Sequence, residues 1–497
     1  MTTVNRRTVL AMGGAAALGA AAGGLGVGWV MRDRTGTDAT PTTTQRSTFQ
    51  RWRASRAAPY YIAHRGAGDV APEHTIPSYQ AALGWGAEAI EISVVMSADR
   101  ELFCMHDLTL DRTTTLKGPA SSQPASVLES AQVRVPRLGP RWAGPAMPAL
   151  PRLRDVLAAV GGRAVLCIEA KDDSAFPLML DAIKAAGLQD TVMIKVSAES
   201  GRLATAKEEK FPVFAYLGNV EVASAANIEK LARTLDPSRD CLVLPCRDDN
   251  DLFSAKLVRQ AVNTSIPTWV FPVHRRHEVT YFRNLGVEGF VTPDLGYLTG
   301  SEPKRQADLW SAGAIAAGEL TRDPYSNAYA LTFAPAEASL GLDFDGRPSF
   351  VTFGNIGPIT ATSYRLAFDA MFEQLPEDNY QHLSVAFGHV DDRYYEHRIG
   401  DADGLHTILR ADGEMAIFSH DAGSRFGKPI SRSARSTPLR AGVWARLSLD
   451  VTPETIRWSR DDGTFVQSSN RRFRGGYVHI GRSSEDGPLR LRNLSIA

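Results

Sequence analysis

The chain has few cysteines and no net charge, and each of these features excludes some classes of protein. Four cysteines among 497 residues are too few for a disulfide framework, and none has the paired Cys/His spacing of a zinc site. Cys104 and Cys167 lie in apolar runs, which predicts buried free thiols. Basic and acidic residues number 55 each, so we expect no nucleic-acid partner. The length predicts two or three domains.

The N-terminal segment 1–34 has the composition of an export signal. Adjacent arginines, Arg6 and Arg7, precede a weakly apolar run rich in Ala and Gly that ends at Met31. This order resembles a bacterial twin-arginine signal. The seven glycines of the run disfavour the alternative, an Ala-rich helix of a cytoplasmic protein. We therefore expect an extracellular or envelope-associated protein, with the segment either cleaved or retained as a membrane anchor.

After a polar linker, 35–56, short apolar runs alternate with helical patterns as far as about residue 300. The predicted strands are 60–63, 89–95, 102–105, 164–168, 192–196, 213–216, 241–244, 268–273 and 289–291. Helical patterns at 76–84, 153–160 and 177–186 lie between them. Roughly eight β/α repeats match a (β/α)8 barrel, although an open doubly wound sheet has the same alternation.

The positions of polar residues favour the barrel. His64 follows the first predicted strand, His106 the third, and Glu169 and Lys171 the fourth. Barrel enzymes build their sites from the C-terminal ends of several strands in this way. We therefore predict an α/β fold, a (β/α)8 TIM-type barrel at 57–300.

The segment between Glu91 and His106 is too short to contain a helix. Glu91 and Ser93 are two residues apart, so in a strand their side chains point to the same face. If the chain folds back at the following turn, Ser93 lies roughly opposite His106. The Glu91 carboxylate and the His106 imidazole would then lie at similar depth in the barrel.

Six short motifs follow one another in this region. They are His64-Arg65-Gly66, Pro72-Glu73-His74-Thr75, the segment 86–93 that contains Glu91 and Ser93, His106-Asp107, Glu169-Ala170-Lys171, and the segment 286–292. Each motif alone is weak. Together, in this order, they resemble the glycerophosphodiester phosphodiesterase family over about half the chain.

The resemblance implies a (β/α)8 barrel that hydrolyses glycerophosphodiesters to an alcohol and glycerol 3-phosphate, using two histidines and a divalent metal. The substrate would be a small-molecule or lipid-derived phosphodiester. Carried over motif by motif, it assigns the acid/base pair to His64 and His106, phosphate binding to Arg65 and Lys171, and binding of Mg²⁺ or Ca²⁺ to Glu91 and Glu169.

Two residues depart from the family pattern. Ser93 stands where the family has a third carboxylate, and His74 stands where it has Asn. We expect weaker metal binding, because a neutral hydroxyl is a poorer ligand than a carboxylate. Three alternatives follow: a working enzyme with a looser metal site, an enzyme that takes a different diester or needs no metal, and a non-catalytic envelope-binding protein on the same barrel. The retained histidines, arginine and lysine argue against the last.

Other candidate residues have less specific roles. Glu73 and Asp107 either cap helices or support the functional residues, and Trp269 either lines the pocket or fills the barrel. The insertion 116–150 is proline-rich and lacks periodicity. It forms either a lid over the site or a disordered excursion.

Beyond residue 300 the pattern changes. We predict a helix and linker at 301–325, with the Ala-rich helix at 308–320, and then a β-sandwich at 326–497 that loosely resembles concanavalin-type jelly rolls. The segment from Arg425 to Arg492 contains 14 Lys and Arg but only 6 Asp and Glu. This excess is consistent with a basic surface that binds a glycan or an anionic envelope polymer. The alternative is a solvated surface offset by acidic residues earlier in the domain.

Overall fold

The computed structural model describes residues 49–497 except 56, 249–250, 326, 345, 396–402, 422, 425–426 and 434–435. The predicted signal 1–34 and most of the linker 35–56 lie outside the described residues, so export stays a prediction. In the described part of the chain, no helix is both long enough and apolar enough to cross a membrane.

The N-terminal half folds into a closed parallel barrel. Its described strands are β1 (Tyr60–Ala63), β2 (Ala89–Met96), β3 (Leu102–Cys104), β4 (Val165–Ala170), β5 (Val192–Ser197), β6 (Val213–Tyr216), β7 (Cys241–Pro245), β8 (Arg247–Asp248), β9 (Asp251–Leu252), β10 (Thr268–Phe271) and β11 (Gly289–Thr292). Strands β1, β2, β4 to β7, β10 and β11 are parallel, and β1 pairs with both β11 and β2. This closure confirms the (β/α)8 barrel and excludes the open sheet.

Helices cover the outside of the barrel because each buries one apolar face against the strands. The described helices are α1 (Phe49–Ser55), α2 (Ile76–Gly84), α3 (Ala125–Ser130), α4 (Leu153–Val160), α5 (Ala175–Ala185), α6 (Arg202–Glu208), α7 (Ala225–Ala232), α8 (Ala255–Val262), α9 (Arg276–Asn284) and α10 (Leu295–Thr299). In α4, for example, Leu153, Val156, Leu157 and Val160 are all buried.

The barrel interior is filled by side chains that point inward from alternate strand positions. Trp269 lies in this inner cluster, fully buried, with ring centroids 6.1 Å from Trp52 and 5.7 Å from Phe214. It therefore fills the barrel rather than lining a pocket. The four cysteines are buried and free, as predicted for Cys104 and Cys167.

Strand β3 is not part of the closed barrel. The turn after β2 returns the chain antiparallel, so that Val94 pairs with Cys104. The Met105 amide donates to the Ser93 carbonyl at 3.0 Å, which places His106 one residue beyond the position we expected opposite Ser93. The insertion 116–150 is folded, and its buried apolar residues, Leu128 among them, pack against β3.

The C-terminal half is the predicted antiparallel β-sandwich. Its strands are β12 (Glu319–Leu320), β13 (Thr332–Ala334), β14 (Ser339–Leu342), β15 (Ser349–Phe353), β16 (Tyr364–Phe372), β17 (His382–His389), β18 (Gly404–Arg410), β19 (Met415–His420), β20 (Lys428–Arg432), β21 (Ala445–Val451), β22 (Ile456–Arg460), β23 (Phe465–Ser468), β24 (Tyr477–Arg482) and β25 (Leu489–Ile496). They form two seven-stranded sheets around one apolar core, β12-β15-β24-β17-β18-β19-β20 and β13-β14-β25-β16-β21-β22-β23.

The helix predicted at 308–320 was wrong. The segment contains only a 3-10 turn, Trp310–Ala312, before β12 joins the first sheet. Gly313 and Gly318 take φ values of 72° and 84°, which no right-handed helix contains. Turn geometry and strand pairing therefore override the helix propensity of the alanines.

The two halves share buried polar contacts and lie within one compact unit of the described residues. Arg275, which precedes α9, donates to Thr352 Oγ1 at 2.9 Å and to the Thr321 carbonyl at 2.6 Å. Asp392 of the sandwich is fully buried and accepts hydrogen bonds from the Arg276 and His277 amides at the start of α9. The sandwich thus contributes directly to the structure of the barrel.

The basic residues of the C-terminal region are largely paired with carboxylates. Asp369 bonds both Arg446, at 3.0 Å, and Arg492, at 3.1 Å, and Asp421 bonds Arg472 at 2.8 Å. These pairs favour the solvated-surface interpretation. Binding of a glycan or anionic polymer stays a prediction without structural support.

Candidate active site

The loop after β1 turns sharply and places His64 and Arg65 at the C-terminal end of the barrel. The His64 amide donates to the Thr292 carbonyl of β11 at 2.7 Å. Arg65 and Gly66 then take φ values of 57° and 81°. A Cβ at Gly66 would lie 2.6 Å from Ser78 Oγ, so this turn requires glycine.

The Arg65 guanidinium is held by an acidic partner. Its Nη1 donates to Glu73 Oε1 at 3.0 Å, and Glu73 also accepts two hydrogen bonds from Arg112, at 2.9 and 2.8 Å. Burial would raise the pKa of Glu73, but the two guanidinium groups hold it well below its usual value. Glu73 is therefore ionised and positions Arg65, whose buried Nε has no hydrogen-bond partner among the described residues.

His106 forms a second cluster with Asp107 and Arg112. Its Nδ1 lies 2.8 Å from Asp107 Oδ1, and Asp107 Oδ2 accepts from Arg112 Nε at 2.6 Å. Asp107 thus binds the proton on Nδ1, which leaves Nε2 as the basic nitrogen, 3.5 Å from Lys171 Nζ. Burial lowers the pKa of His106, and the Asp107 carboxylate partly opposes that shift.

His64 lies beneath Tyr325, a residue of the linker between the barrel and the sandwich. The hydroxyl of Tyr325 lies 3.5 Å from His64 Nδ1. Its ring also covers the Arg65 guanidinium, with 4.6 Å between Cζ and the ring centroid. His64 is 4% exposed, and burial lowers its pKa well below the usual value, so the imidazole is neutral.

Two carboxylates face each other across a lysine at the end of the barrel. Lys195 Nζ, from β5, lies 2.7 Å from Glu91 Oε1 and 3.0 Å from Glu169 Oε2. Ser93 Oγ donates to Glu91 Oε1 at 3.2 Å. Burial alone would raise the pKa of both carboxyls, but Lys195 outweighs it and holds the pKa of Glu91 well below its usual value and that of Glu169 at about 2.

Lys171 connects this carboxylate pair to His106. Its Nζ lies 3.3 Å from Glu169 Oε2 and 3.5 Å from His106 Nε2. Burial lowers the pKa of Lys171, while Glu169 opposes the shift. The sequence-predicted residues His106, Lys171, Glu169 and Glu91 therefore form one connected polar network.

His74 has a backbone role that explains its residue type. Its φ of 57° is left-handed, a region in which Asn and His are several-fold enriched. Nδ1 lies 3.0 Å from the Tyr79 hydroxyl, and burial lowers the pKa of His74 to about 3. His74 is therefore a neutral, buried residue rather than a third acid or base.

Sequence reasoning missed Lys195 and Tyr325. The signal for Lys195 was a charged residue at the fourth position of the otherwise apolar strand Val-Met-Ile-Lys-Val, because lysine is almost never fully buried without a partner. No pattern marked Tyr325, since its position depends on how the linker crosses the barrel.

The comparison with known families decides what this constellation belongs to. The model of the Glycerophosphoryl diester phosphodiesterase family matches residues 64–296. This range contains every charged residue of the site described above, whereas Tyr325 lies outside it. Residues 64–296 belong to this family. The resemblance noted from six motifs is thereby confirmed.

Curated relatives carry the family's name. Probable glycerophosphodiester phosphodiesterase 1 of Mycobacterium tuberculosis is 40% identical over 74 residues, 15% of this chain and 27% of the relative. This match spans only about a quarter of the relative's length. Glycerophosphodiester phosphodiesterase of Bacillus subtilis is 25% identical over 249 residues, 47% of this chain and 84% of the relative.

Solved structures are similar over the same half. A phosphodiesterase of Oleispira antarctica, solved with the product sn-glycerol-3-phosphate, is 20% identical with a TM-score of 0.42 and covers 49% of this chain and 96% of that one. A glycerophosphodiester phosphodiesterase of Agrobacterium tumefaciens is 23% identical with a TM-score of 0.37, over 48% of this chain and 97% of that one.

The family is generally dependent on a divalent metal, and the residues here do not fit one. Within the described ranges, no three His, Cys, Asp or Glu side chains are arranged to hold a metal ion. Lys195 Nζ already lies within hydrogen-bond distance of both Glu91 and Glu169. A cation bound by the same two oxygens at the usual 2.0–2.6 Å would overlap the ammonium group.

Proposed function

We propose that this protein hydrolyses glycerophosphodiesters to an alcohol and glycerol 3-phosphate. The observation that carries the proposal is the convergence of His64 and His106 on a site that also contains Arg65 and Lys171. Arg65, the residue after His64, is linked to His106 through Glu73, Arg112 and Asp107. Two imidazoles beside two fixed cations are the groups that phosphodiester cleavage needs.

The two histidines divide the proton transfers. His106 Nε2, with Nδ1–H held by Asp107, accepts a proton from the attacking water as the water oxygen bonds to phosphorus. The bond from phosphorus to the leaving alcohol then breaks. The departing oxygen takes a proton from His64, which is neutral in the free protein and gains that proton when the phosphodiester anion binds beside it. Arg65 and Lys171 bind the non-bridging oxygens, where charge increases in the transition state. The predicted binding of Mg²⁺ or Ca²⁺ by Glu91 and Glu169 enters no step.

A cleft beside the site provides room for the alcohol portion of the substrate. It has a volume of about 370 Å³ and lies between the ends of the β6, β7 and β10 strands and the linker. Phe271 and Pro272 give it apolar walls, while His274 and Arg322 give it polar ones. This mixture of apolar and polar walls fits a small or lipid-derived alcohol.

Purified protein assayed on glycerophosphocholine and on an aryl phosphodiester tests the proposal. We expect release of glycerol 3-phosphate from the first substrate, and a fall in kcat of about 10²–10⁴-fold in His64→Gln and in His106→Gln. His420→Gln, a buried histidine of the sandwich, serves as the matched control and retains activity. A folded wild-type chain that turns over neither substrate would refute the proposal, and would leave an enzyme for a different diester and the non-catalytic protein as the alternatives.

A further inference from the structure

The four oxygens of Glu91 and Glu169 all have hydrogen-bond donors from the protein. Glu91 Oε1 accepts from Lys195 and Ser93, and Oε2 accepts from the Arg65 amide at 3.0 Å. Glu169 Oε1 accepts from the Tyr216 hydroxyl at 2.5 Å, and Oε2 lies near both Lys195 and Lys171. The pair is therefore fully satisfied by this chain alone.

Charge is balanced in the same way. The family pattern noted above has three carboxylates, which a divalent cation and the motif lysine would neutralise. Here Ser93 replaces one carboxylate, so only Glu91 and Glu169 carry negative charge. The ammonium of Lys195 supplies one positive charge where the metal would supply two, and Lys171 supplies the other. Both arrangements sum to zero, so the serine and the second lysine together compensate for a missing dication.

Lys195 is placed to act on substrate. Its side chain is 6% exposed and reaches the same carboxylate that bonds the Arg65 backbone. An ammonium group has three donors, and Glu91 and Glu169 accept two of them. The third remains for a phosphoryl oxygen, and the charge is close enough to lower the pKa of His64.

Building on the proposed function, we propose that the Lys195 ammonium is the resident cation of this site and replaces the divalent metal of the family. It binds a non-bridging oxygen of the diester and stabilises the negative charge of the transition state. It forms no covalent bond. The bond changes are those of hydrolysis: the attacking oxygen bonds to phosphorus, its proton goes to one histidine, and the leaving oxygen takes a proton from the other.

The first test uses the wild-type chain, treated with a chelator, on glycerophosphocholine. We expect its turnover to be unchanged by the chelator and by added Mg²⁺ or Ca²⁺, and titration calorimetry with either metal to show no binding. Loss of turnover on chelation, restored by metal, overturns the inference but leaves the proposed function standing. No turnover under any condition refutes both.

Variants then test Lys195 itself. Lys195→Gln should lower kcat by about 10²–10³-fold, as removal of an oxyanion donor does elsewhere, while Lys195→Arg restores part of the loss. Lys256→Gln, an exposed lysine on α8, is the control. A folded Lys195→Gln enzyme within about threefold of wild type overturns the inference, because that corresponds to less than 1 kcal/mol of transition-state stabilisation.

A designed metal site gives a readout that does not depend on activity. Ser93→Asp alone should not bind Ca²⁺ in calorimetry, because the ammonium still occupies the position between the carboxylates. Ser93→Asp combined with Lys195→Ala supplies a third carboxylate and removes the ammonium, and it should bind Ca²⁺. Equal Ca²⁺ binding by the single and double variants overturns the inference. If any of the three Lys195 variants loses its fold, the wild-type measurements decide.

Discussion

Asp392 offers a direct test of how strongly the sandwich supports the barrel. It lies in the sandwich, yet its carboxylate accepts four hydrogen bonds from barrel groups. Oδ1 accepts from the His277 amide at 2.8 Å and lies 3.0 Å from His277 Nδ1. Oδ2 accepts from the Arg276 amide at 2.6 Å and the Tyr297 hydroxyl at 2.7 Å. We predict that Asp392→Ala destabilises the barrel.

The magnitude follows from what the substitution leaves behind. Each buried donor without an acceptor costs about 1–3 kcal/mol, and the two amides belong to the first turn of α9, where loss of a capping oxygen costs about 0.5–2 kcal/mol. Such costs do not add fully, because water and side-chain shifts relieve some of them. We therefore expect Asp392→Ala to lower the free energy of unfolding by about 3–5 kcal/mol, the range for breaking a buried charged contact.

Urea unfolding followed by helical ellipticity provides the assay. Every α-helix of the described residues lies in the barrel half, so this signal reports the barrel although the substitution lies in the sandwich. Asp391→Ala is the matched control, because the Asp391 carboxylate is part-exposed and pairs with Arg393. We expect this control to change the free energy of unfolding by no more than about 0.5 kcal/mol. An Asp392→Ala barrel as stable as the control would refute a structural role for this contact.

The pH dependence of the same contact has a definite sign. Burial would raise the pKa of Asp392, but His277 and Arg275 outweigh it and lower the pKa below the usual value. The stabilisation is therefore present above the unfolded-state pKa, about 3.9, and is lost as pH falls through the folded-state pKa. The difference between wild type and Asp392→Ala should shrink in strongly acidic buffer.

Two further predictions concern the active site. Tyr325→Ala should lower kcat/KM for glycerophosphocholine roughly five- to thirtyfold, because about 1–2 kcal/mol of contact with the Arg65 guanidinium is lost, while Tyr325→Phe keeps the ring and most of the activity; equal losses in both variants would contradict this. Asp107→Asn should move the acidic limb of the kcat/KM profile to lower pH, because the carboxylate that raises the pKa of His106 is removed; a shift to higher pH would contradict this.

Much of the fold could be predicted because each barrel strand is a separate apolar run. The parallel strands bury both faces, so they appear as short hydrophobic segments between amphipathic helices. The prediction of a helix at 308–320 was wrong because the tertiary contacts of this segment, rather than its alanine content, set its path. Trp310 and Ile315 pack into the sandwich core and Ala317 into the barrel core, along an irregular path that includes the positive φ values of Gly313 and Gly318. Helix propensity is only a weak preference and does not override this packing.

The site could be predicted only where its residues follow strands in a known order. His64, His106 and Glu169 belong to short motifs, and the barrel brings strand ends together, so their convergence was expected. Lys195 belongs to no motif. Strands β4 and β5 pair Ile168 with Ile194, and the next residues along are Glu169 and Lys195. Their contact depends on a register that the sequence does not display.

The C-terminal half is better understood as part of the same structural unit as the barrel than as an appended module. Arg275 of the barrel bonds Thr352 of the sandwich and the linker carbonyl of Thr321, four residues before Tyr325. Tyr325 in turn covers Arg65 and His64. Deleting 326–497 would remove Asp392 and the anchor of this linker, so lost retention on a cell wall or glycan would reflect a damaged barrel. A binding role must therefore be tested in the full-length chain, with substitutions of exposed arginines such as Arg471 that leave the shared contacts intact.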